Sequence, residues 1–215
     1  MAAEDRPSRG RGTKPERKPI FERLAPFAPW DQRAAAAVLD GEAAAQRAGE
    51  LVAGATAIAQ AAQAIAESAA TPAVASTLRH LAEVTGWQAG IWATEFSGTA
   101  AFAGKAELSG AAGATSRIGE ACAALSQSYG TDDSDELVAV AVLGRVLLPQ
   151  FLADAVLLRA QLGETLPPGQ NRWLAILIDD LETQRAELEL FVQTAMTAAD
   201  VERVANACGE VSKTV

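Results

Sequence analysis

The stretch NRWLAILIDDLETQRAELELFVQTA, residues 171–195, decides the fold class. Its large apolar side chains recur every seven residues at two alternating positions, which is typical of the buried face of a long helix. These two positions are Leu174, Leu181, Leu188 and Ala195, and Leu177, Gln184 and Phe191. No segment of the chain shows the strict apolar–polar alternation of a half-buried strand. The sequence therefore predicts an all-α fold, a helical bundle of about five to seven helices.

The N-terminal part of the predicted bundle repeats this pattern with smaller side chains. A long helix is predicted over about residues 32–70, where Leu51, Ile58 and Ile65 lie seven apart on a seam built mainly from alanine. Such a seam lets two helices approach closely, and we expect it to favour self-association. Thr71–Pro72 predicts the start of the next helix, because threonine is a good N-cap and proline is tolerated at the first helical position.

Further helices follow from the residues that start and stop them. We expect a loose connection over residues 97–114 and a helix over residues 116–128. The acidic run 131–136 (TDDSDE) predicts another helix start, since carboxylates complement the positive end of a helix dipole. The segment 137–158 behind it is apolar enough to compare with a membrane span. An arginine and an aspartate near its middle disfavour insertion, and Pro149 divides it, so we expect two buried core helices.

The last part of the chain is predicted to hold two helices. Leu166–Pro167–Pro168–Gly169 is predicted to be a loop, so that the last long helix starts near Asn171. Trp173 opens that helix and is expected to pack in the core. A short final helix is predicted to start with Thr197 and Asp200.

The charge of the chain is unevenly distributed. The net charge is −9, but residues 1–30 carry seven basic and four acidic groups, which leaves −12 on residues 31–215. An acidic body repels the phosphate backbone of nucleic acids, so only weak, salt-sensitive binding through the N-terminal arm is expected. The N-terminus lacks the apolar core of a secretory signal, which favours a cytoplasmic location.

Two parts of the chain are predicted to behave differently. Residues 1–30 are predicted to form a flexible basic arm, and residues 31–215 a single helical domain. The arm is rich in proline, glycine and basic residues over its first 20 positions, and it ends in the apolar segment Ile20–Trp30. Two interpretations of that segment stay open: it folds back onto the bundle, or it anchors a partner.

The sequence lacks the residues of most common catalytic and metal sites. Two cysteines and one histidine cannot form a disulfide-rich scaffold, a common zinc site or a di-iron site. The acidic run has no glycine or glutamate at EF-hand positions, and no phosphate-binding loop or nucleophile elbow is present. His80 resembles the phosphorylated residue of histidine phosphotransfer domains only weakly, because the lysine that follows it there is missing. We therefore predict no enzyme, cofactor or metal.

The predicted site residues are basic and aromatic. Of the four tryptophans, Trp87 and Trp92 lie five residues apart on one helix, so at least one should be near the surface. The predicted partner-binding residues are Arg17, Lys18, Phe21, Arg23, Phe27, Trp30, Trp87 and Trp92.

Three functions remain open. The first is a non-catalytic interaction or structural protein that docks a protein partner through its arm and self-associates. The second is a granule coat protein, since the Ala- and Gln-containing stretch 43–70 resembles phasins, which coat polyester storage granules. The third is a regulatory bundle that binds a small ligand near Trp87, Trp92 and Trp173.

Overall fold

The computed structural model describes residue 39 and residues 41–97, 116–128, 133–162 and 166–215. The predicted arm, the residues that precede Leu39 in the first predicted helix, and most of the 97–114 connection lie outside these ranges. All regular secondary structure in the described residues is helical, which confirms the all-α fold.

The described residues form six continuous helical segments, one of which has a π-helical turn in its middle. Their bounds are α1 Gly41–Ser68, α2 Pro72–Ser97, α3 Arg117–Ser128, α4 Asp133–Val142, the π segment Leu143–Leu147, α5 Leu148–Leu162, α6 Pro168–Ala195 and α7 Val201–Ser212. Helix α4, the π segment and α5 follow one another without interruption and are called the central helix below.

Local sequence explains most helix starts. Helix α2 begins at Pro72, as predicted. At the start of α3, the Gly119 N–H donates to Ser116 Oγ at 3.0 Å, so a serine caps the helix. Before α7, the backbone N–H and the hydroxyl of Thr197 both donate to Asp200 Oδ2, at 2.9 and 2.6 Å.

Helix α6 begins three residues earlier than predicted. Pro168 and Gly169, which were expected to lie in a loop, form its first turn. Proline suits that position because the first helical N–H groups have no partner within the helix.

The two predicted core helices are buried as expected, but they are joined through a π segment into one continuous helix that passes through Pro149. In a regular α-helix the proline ring would clash with the carbonyl of Arg145, four residues earlier. The π segment lies directly before the proline, and the Leu148 N–H donates to the Leu143 carbonyl, five residues back. This wider turn changes the hydrogen-bond register where the proline requires it.

The core lies around the central helix and α1. Helix α1 packs against α2, α3 and α5, while α6 packs against α2 and the central helix, and α7 covers α4. Leu51, Ile58 and Ile65 are buried, as the seven-residue spacing predicted. The alanine seam packs inside this chain, chiefly against α2, and therefore gives no support to self-association.

One helix of the described residues, Glu136–Leu162, is long and apolar enough to span a membrane by length and composition. In the fold, 72% of the most apolar stretch of this helix is buried, and residues 138–144 are all buried. The core helix of a globular protein and a membrane-spanning helix can have the same length and apolar composition. Burial of this extent inside the protein is typical of a core helix.

Candidate docking face and cavity

The structure separates the two tryptophans that were predicted to bind a partner. Trp87 is 54% exposed on the outer side of α2. Trp92 is only 1% exposed and stacks on Phe151 of α5, with ring centroids 5.5 Å apart, so it presents no surface to a partner in this conformation. The other predicted residues, Arg17, Lys18, Phe21, Arg23, Phe27 and Trp30, lie outside the described residues.

Trp173 is exposed, which contradicts the prediction from the sequence. It was expected in the core, but it is 39% exposed near the start of α6, because the buried face of that helix runs through the neighbouring Leu174 instead. Ile176 is equally exposed one turn later. The heptad pattern contained this signal for Ile176, since the residue lies away from the Leu174 and Leu177 positions that define the buried face.

Two contacts show that α2 and α6 are antiparallel neighbours. At one end, Gln170 Nε2 donates to the Glu95 carbonyl at 2.8 Å. At the other, His80 Nε2 lies 3.9 Å from Glu187 Oε2, and both of these side chains are more than half exposed. The outer edge of the α2–α6 seam therefore runs from His80 and Glu187 toward Glu95 and Gln170.

Helix periodicity places four apolar residues along this outer edge. Trp87 is seven residues from His80, so it lies on the same side of α2, about 10 Å along the axis. Ile91 is one turn further. Ile176 and Trp173 are 11 and 14 residues before Glu187, on the matching side of α6, about 16 and 21 Å along it. Trp87, Ile91, Trp173 and Ile176 are together called the α2–α6 strip.

The border of the α2–α6 strip is mainly acidic. Asp180 lies on α6 at the level of Trp87, and Glu187 lies at the level of His80, by the same helical spacing. Glu83 and Asp179 are exposed beside them. Arg79 and Arg172 are exposed nearby and offset part of this charge. The strip thus combines exposed aromatic and aliphatic surface with a net negative border.

A cavity of about 670 Å³ lies on another side of the bundle, between α1, α3 and α5. Its apolar lining includes Leu51, Ile118, Phe151 and Leu158. Its polar lining residues are Gln46, Arg47, Glu50, Ser116, Arg117, Gln150, Asp154 and Gln161. A cavity of this size is in the range of sites that enclose a small molecule or a few large side chains.

Asp154 is the titratable group of this cavity with a shifted pKa. Burial raises the pKa of its carboxyl above the ordinary value, because the charged form loses solvation. The positive charge of Arg47 and a 3.4 Å hydrogen bond from Gln150 Nε2 oppose that shift, while the negative charge of Glu50 adds to it. A cationic group placed at this carboxyl would stabilise its charged form.

A buried ion pair lies at the π segment. Arg145 Nη2 donates to Glu189 Oε1 of α6 at 2.6 Å, and Gln193 Nε2 donates to the same oxygen at 2.7 Å. Gly144, beside Arg145, lets α6 approach: a Cβ at Gly144 would lie 2.9 Å from Leu188 Cβ. We read this group as structural, because the pair fixes how α6 meets the central helix.

Cys122 is buried in the core, whereas Cys208 is half-buried and packs against it. Burial raises the pKa of the Cys122 thiol to about 12 and that of the Cys208 thiol to about 11. Both thiols are therefore poor nucleophiles at neutral pH, since the thiolate is the reactive form. Within the described ranges, no group of three or more His, Cys, Asp or Glu side chains is arranged to hold a metal ion.

Comparison with known proteins adds no family. No protein-family model, no curated protein sequence and no solved structure matches this chain.

Proposed function

We propose that this chain is a non-catalytic helical interaction protein that binds a protein partner on the α2–α6 strip. The observation that carries the proposal is the exposure of Trp87, Trp173 and Ile176 along one seam. Exposed tryptophans on a shared face are the residues most often responsible for binding energy at protein interfaces.

The border of the strip indicates the chemistry of the partner. Asp179, Asp180, Glu83 and Glu187 place negative charge beside the apolar surface, so a segment with both apolar and basic side chains is complementary to it. A second copy of the acidic strip itself would bring like charges together. Face-to-face self-association through the strip is therefore disfavoured, and self-association of the chain stays a prediction.

The alternatives receive less support from the described residues. A granule coat would need the alanine face of α1 to meet an apolar surface, whereas Ala48, Ala55 and Ala62 are buried inside the bundle. A ligand site shared by Trp87, Trp92 and Trp173 would need Trp92 outside the core. Docking through the arm stays a prediction, because the arm lies outside the described residues.

The test is purification of partners from the native host on the full chain, with four sets of point variants. Trp87→Ala with Trp173→Ala should abolish capture of a partner that the unaltered chain retains. Leu190→Ala is the matched control, because Leu190 is the most exposed large apolar residue, at 67%, and lies at the far end of α6.

The third set separates the strip from the arm. Phe21→Ser, Phe27→Ser and Trp30→Ser together should leave the captured partner bound if the strip is the docking face. Asp180→Asn with Glu187→Gln should slow association and reduce its salt dependence, because border charges mainly steer encounter. A partner lost with the arm variants and retained by the strip variants would replace this proposal with docking through the arm.

A further inference from the structure

The cavity between α1, α3 and α5 lies where the described chain begins. Leu39, the first described residue, is half-buried and lines it, as do Ala43, Gln46 and Arg47 in the first two turns of α1. The residues that precede Leu39 are therefore attached at the mouth of this cavity.

The preceding sequence has the composition that such a cavity accepts. Ile20, Phe21, Leu24, Phe27 and Trp30 place five large apolar side chains within eleven residues. Leu51, Ile118, Phe151 and Leu158 form the buried apolar floor of the cavity, whose volume of about 670 Å³ admits a few such side chains. Burial of each such side chain is favourable in proportion to the apolar area removed from water.

The length of the intervening chain allows this contact within one molecule. Residues 31–38 separate Trp30 from Leu39, and eight residues reach at most about 26–29 Å when fully extended. A helix with its side chains is about 10–12 Å across, so this linker spans the cavity mouth with length to spare. A short linker also gives a local concentration on the order of millimolar, which favours the chain's own segment over a second copy.

Charges at the rim agree with the charges of the segment. Glu50 and Asp154 are negative, Arg47 and Arg117 are positive, and the segment carries the neighbouring pair Glu22 and Arg23. The half-buried Asp154 carboxyl is the group that would gain most from a nearby cation, for the reason given above.

We propose that residues 20–30 of this chain lie across the cavity between α1, α3 and α5 of the same molecule and insert some of their large apolar side chains into it. This inference goes beyond the proposed function, since the α2–α6 strip has no part in it. It assigns the aromatic segment an intramolecular site and leaves the more basic residues 6–18 outside the bundle.

The test is disulfide formation in the full chain between Asp31→Cys, directly after the segment, and Gln46→Cys at the cavity. The matched control pairs Asp31→Cys with Thr94→Cys, an exposed position near the same end of the bundle on α2. The native cysteines are retained, because burial keeps their thiols protonated. Two cysteines bridge only when their Cα atoms come within about 4.4–6.8 Å, so the rate reports proximity.

We expect the cavity pair to oxidise at least tenfold faster than the control pair, at a rate independent of protein concentration. Replacing Phe21, Phe27 and Trp30 with serine in the cavity pair should lower its rate to that of the control. Circular dichroism of each variant establishes that the bundle is folded.

Every other result overturns the proposal. Equal rates for the two pairs would mean that the segment does not reside at the cavity. A fast rate unaffected by the serine replacements would mean that the linker alone brings the cysteines together. Disulfide-linked dimers whose yield rises with concentration would assign the cavity to the segment of a second copy.

Discussion

Gly144→Ala tests how closely α6 approaches the π segment. The added Cβ would lie 2.9 Å from Leu188 Cβ, a distance that real Cβ atoms do not show, and neither atom can rotate away. Overpacking of this kind costs about 2–3 kcal/mol, and the better helix propensity of alanine offsets about 1 kcal/mol. We expect a net loss of about 1–2 kcal/mol in the free energy of unfolding, or about 2–8 °C in Tm for a chain of this size.

The matched control is Gly90→Ala on α2, where an added Cβ meets nothing within 4 Å. This variant should be more stable than the unaltered chain by up to about 1 kcal/mol. Urea denaturation followed by circular dichroism at 222 nm measures both changes. Gly144→Ala with a stability equal to that of Gly90→Ala would refute the reasoning.

A second background identifies the clashing atom. Leu188→Ala removes the outer part of the side chain but keeps the Cβ at 2.9 Å, so Gly144→Ala should still be destabilising there. Leu188→Gly removes that Cβ, and in this background Gly144→Ala should no longer cost stability. The difference between the two backgrounds is a coupling energy, which cancels the cost of shortening Leu188 itself.

Three further predictions concern buried polar groups. Glu189→Ala should lower the free energy of unfolding by about 3 kcal/mol, because the buried Arg145 guanidinium loses its carboxylate. The double variant Arg145→Met with Glu189→Leu should lower it much less, because no buried charge is left unpaired. Urea denaturation measures both changes. Glu136→Ala should lower the free energy of unfolding by about 2–3 kcal/mol, since this buried carboxylate accepts hydrogen bonds from the backbone N–H groups of Ala70 and Thr71 in the α1–α2 connection. Glu136→Gln should lower it less, because the amide keeps one acceptor oxygen. Stability should fall as pH rises above about 9, because unfolded thiols ionise there while burial holds the folded pKa of Cys122 at about 12 and of Cys208 at about 11. The double alanine variant of the cysteines should lose that part of the pH dependence, and an unchanged slope between pH 9 and 11 would contradict it.

Periodicity predicted the parts of the fold that depend on one face of one helix. Leu174, Leu181 and Leu188 are all buried, and so is the seam of Leu51, Ile58 and Ile65. The all-α class follows from such patterns, because each stripe needs a partner and no strand pattern competes with it.

Features that depend on two helices together were not predictable in the same way. A proline in an apolar run normally indicates a break, and only the packing around the central helix shows that a π turn carries the helix through Pro149. Glu136 was predicted to complement the dipole of its own helix, but its carboxylate also binds the α1–α2 connection, 65 residues earlier in the chain.

The candidate site was predicted only in part. The five-residue spacing of Trp87 and Trp92 predicted that at least one of them would be near the surface, but both were named as partner-binding residues and only Trp87 is exposed. Its companions Trp173 and Ile176 come from a helix about 90 residues later, and only the antiparallel register of α2 and α6 brings them to one seam.

The position of the central helix in the chain has a consequence for synthesis. The ribosome completes this apolar helix at Leu162, before it makes α6 and α7, which cover it. About 50 residues separate Leu162 from Ser212, which at about 5–20 residues per second corresponds to roughly 3–10 s. During that interval the side of this membrane-length apolar segment that α6 and α7 cover is left without them, and transiently exposed apolar surface of this kind promotes aggregation of a partly made chain.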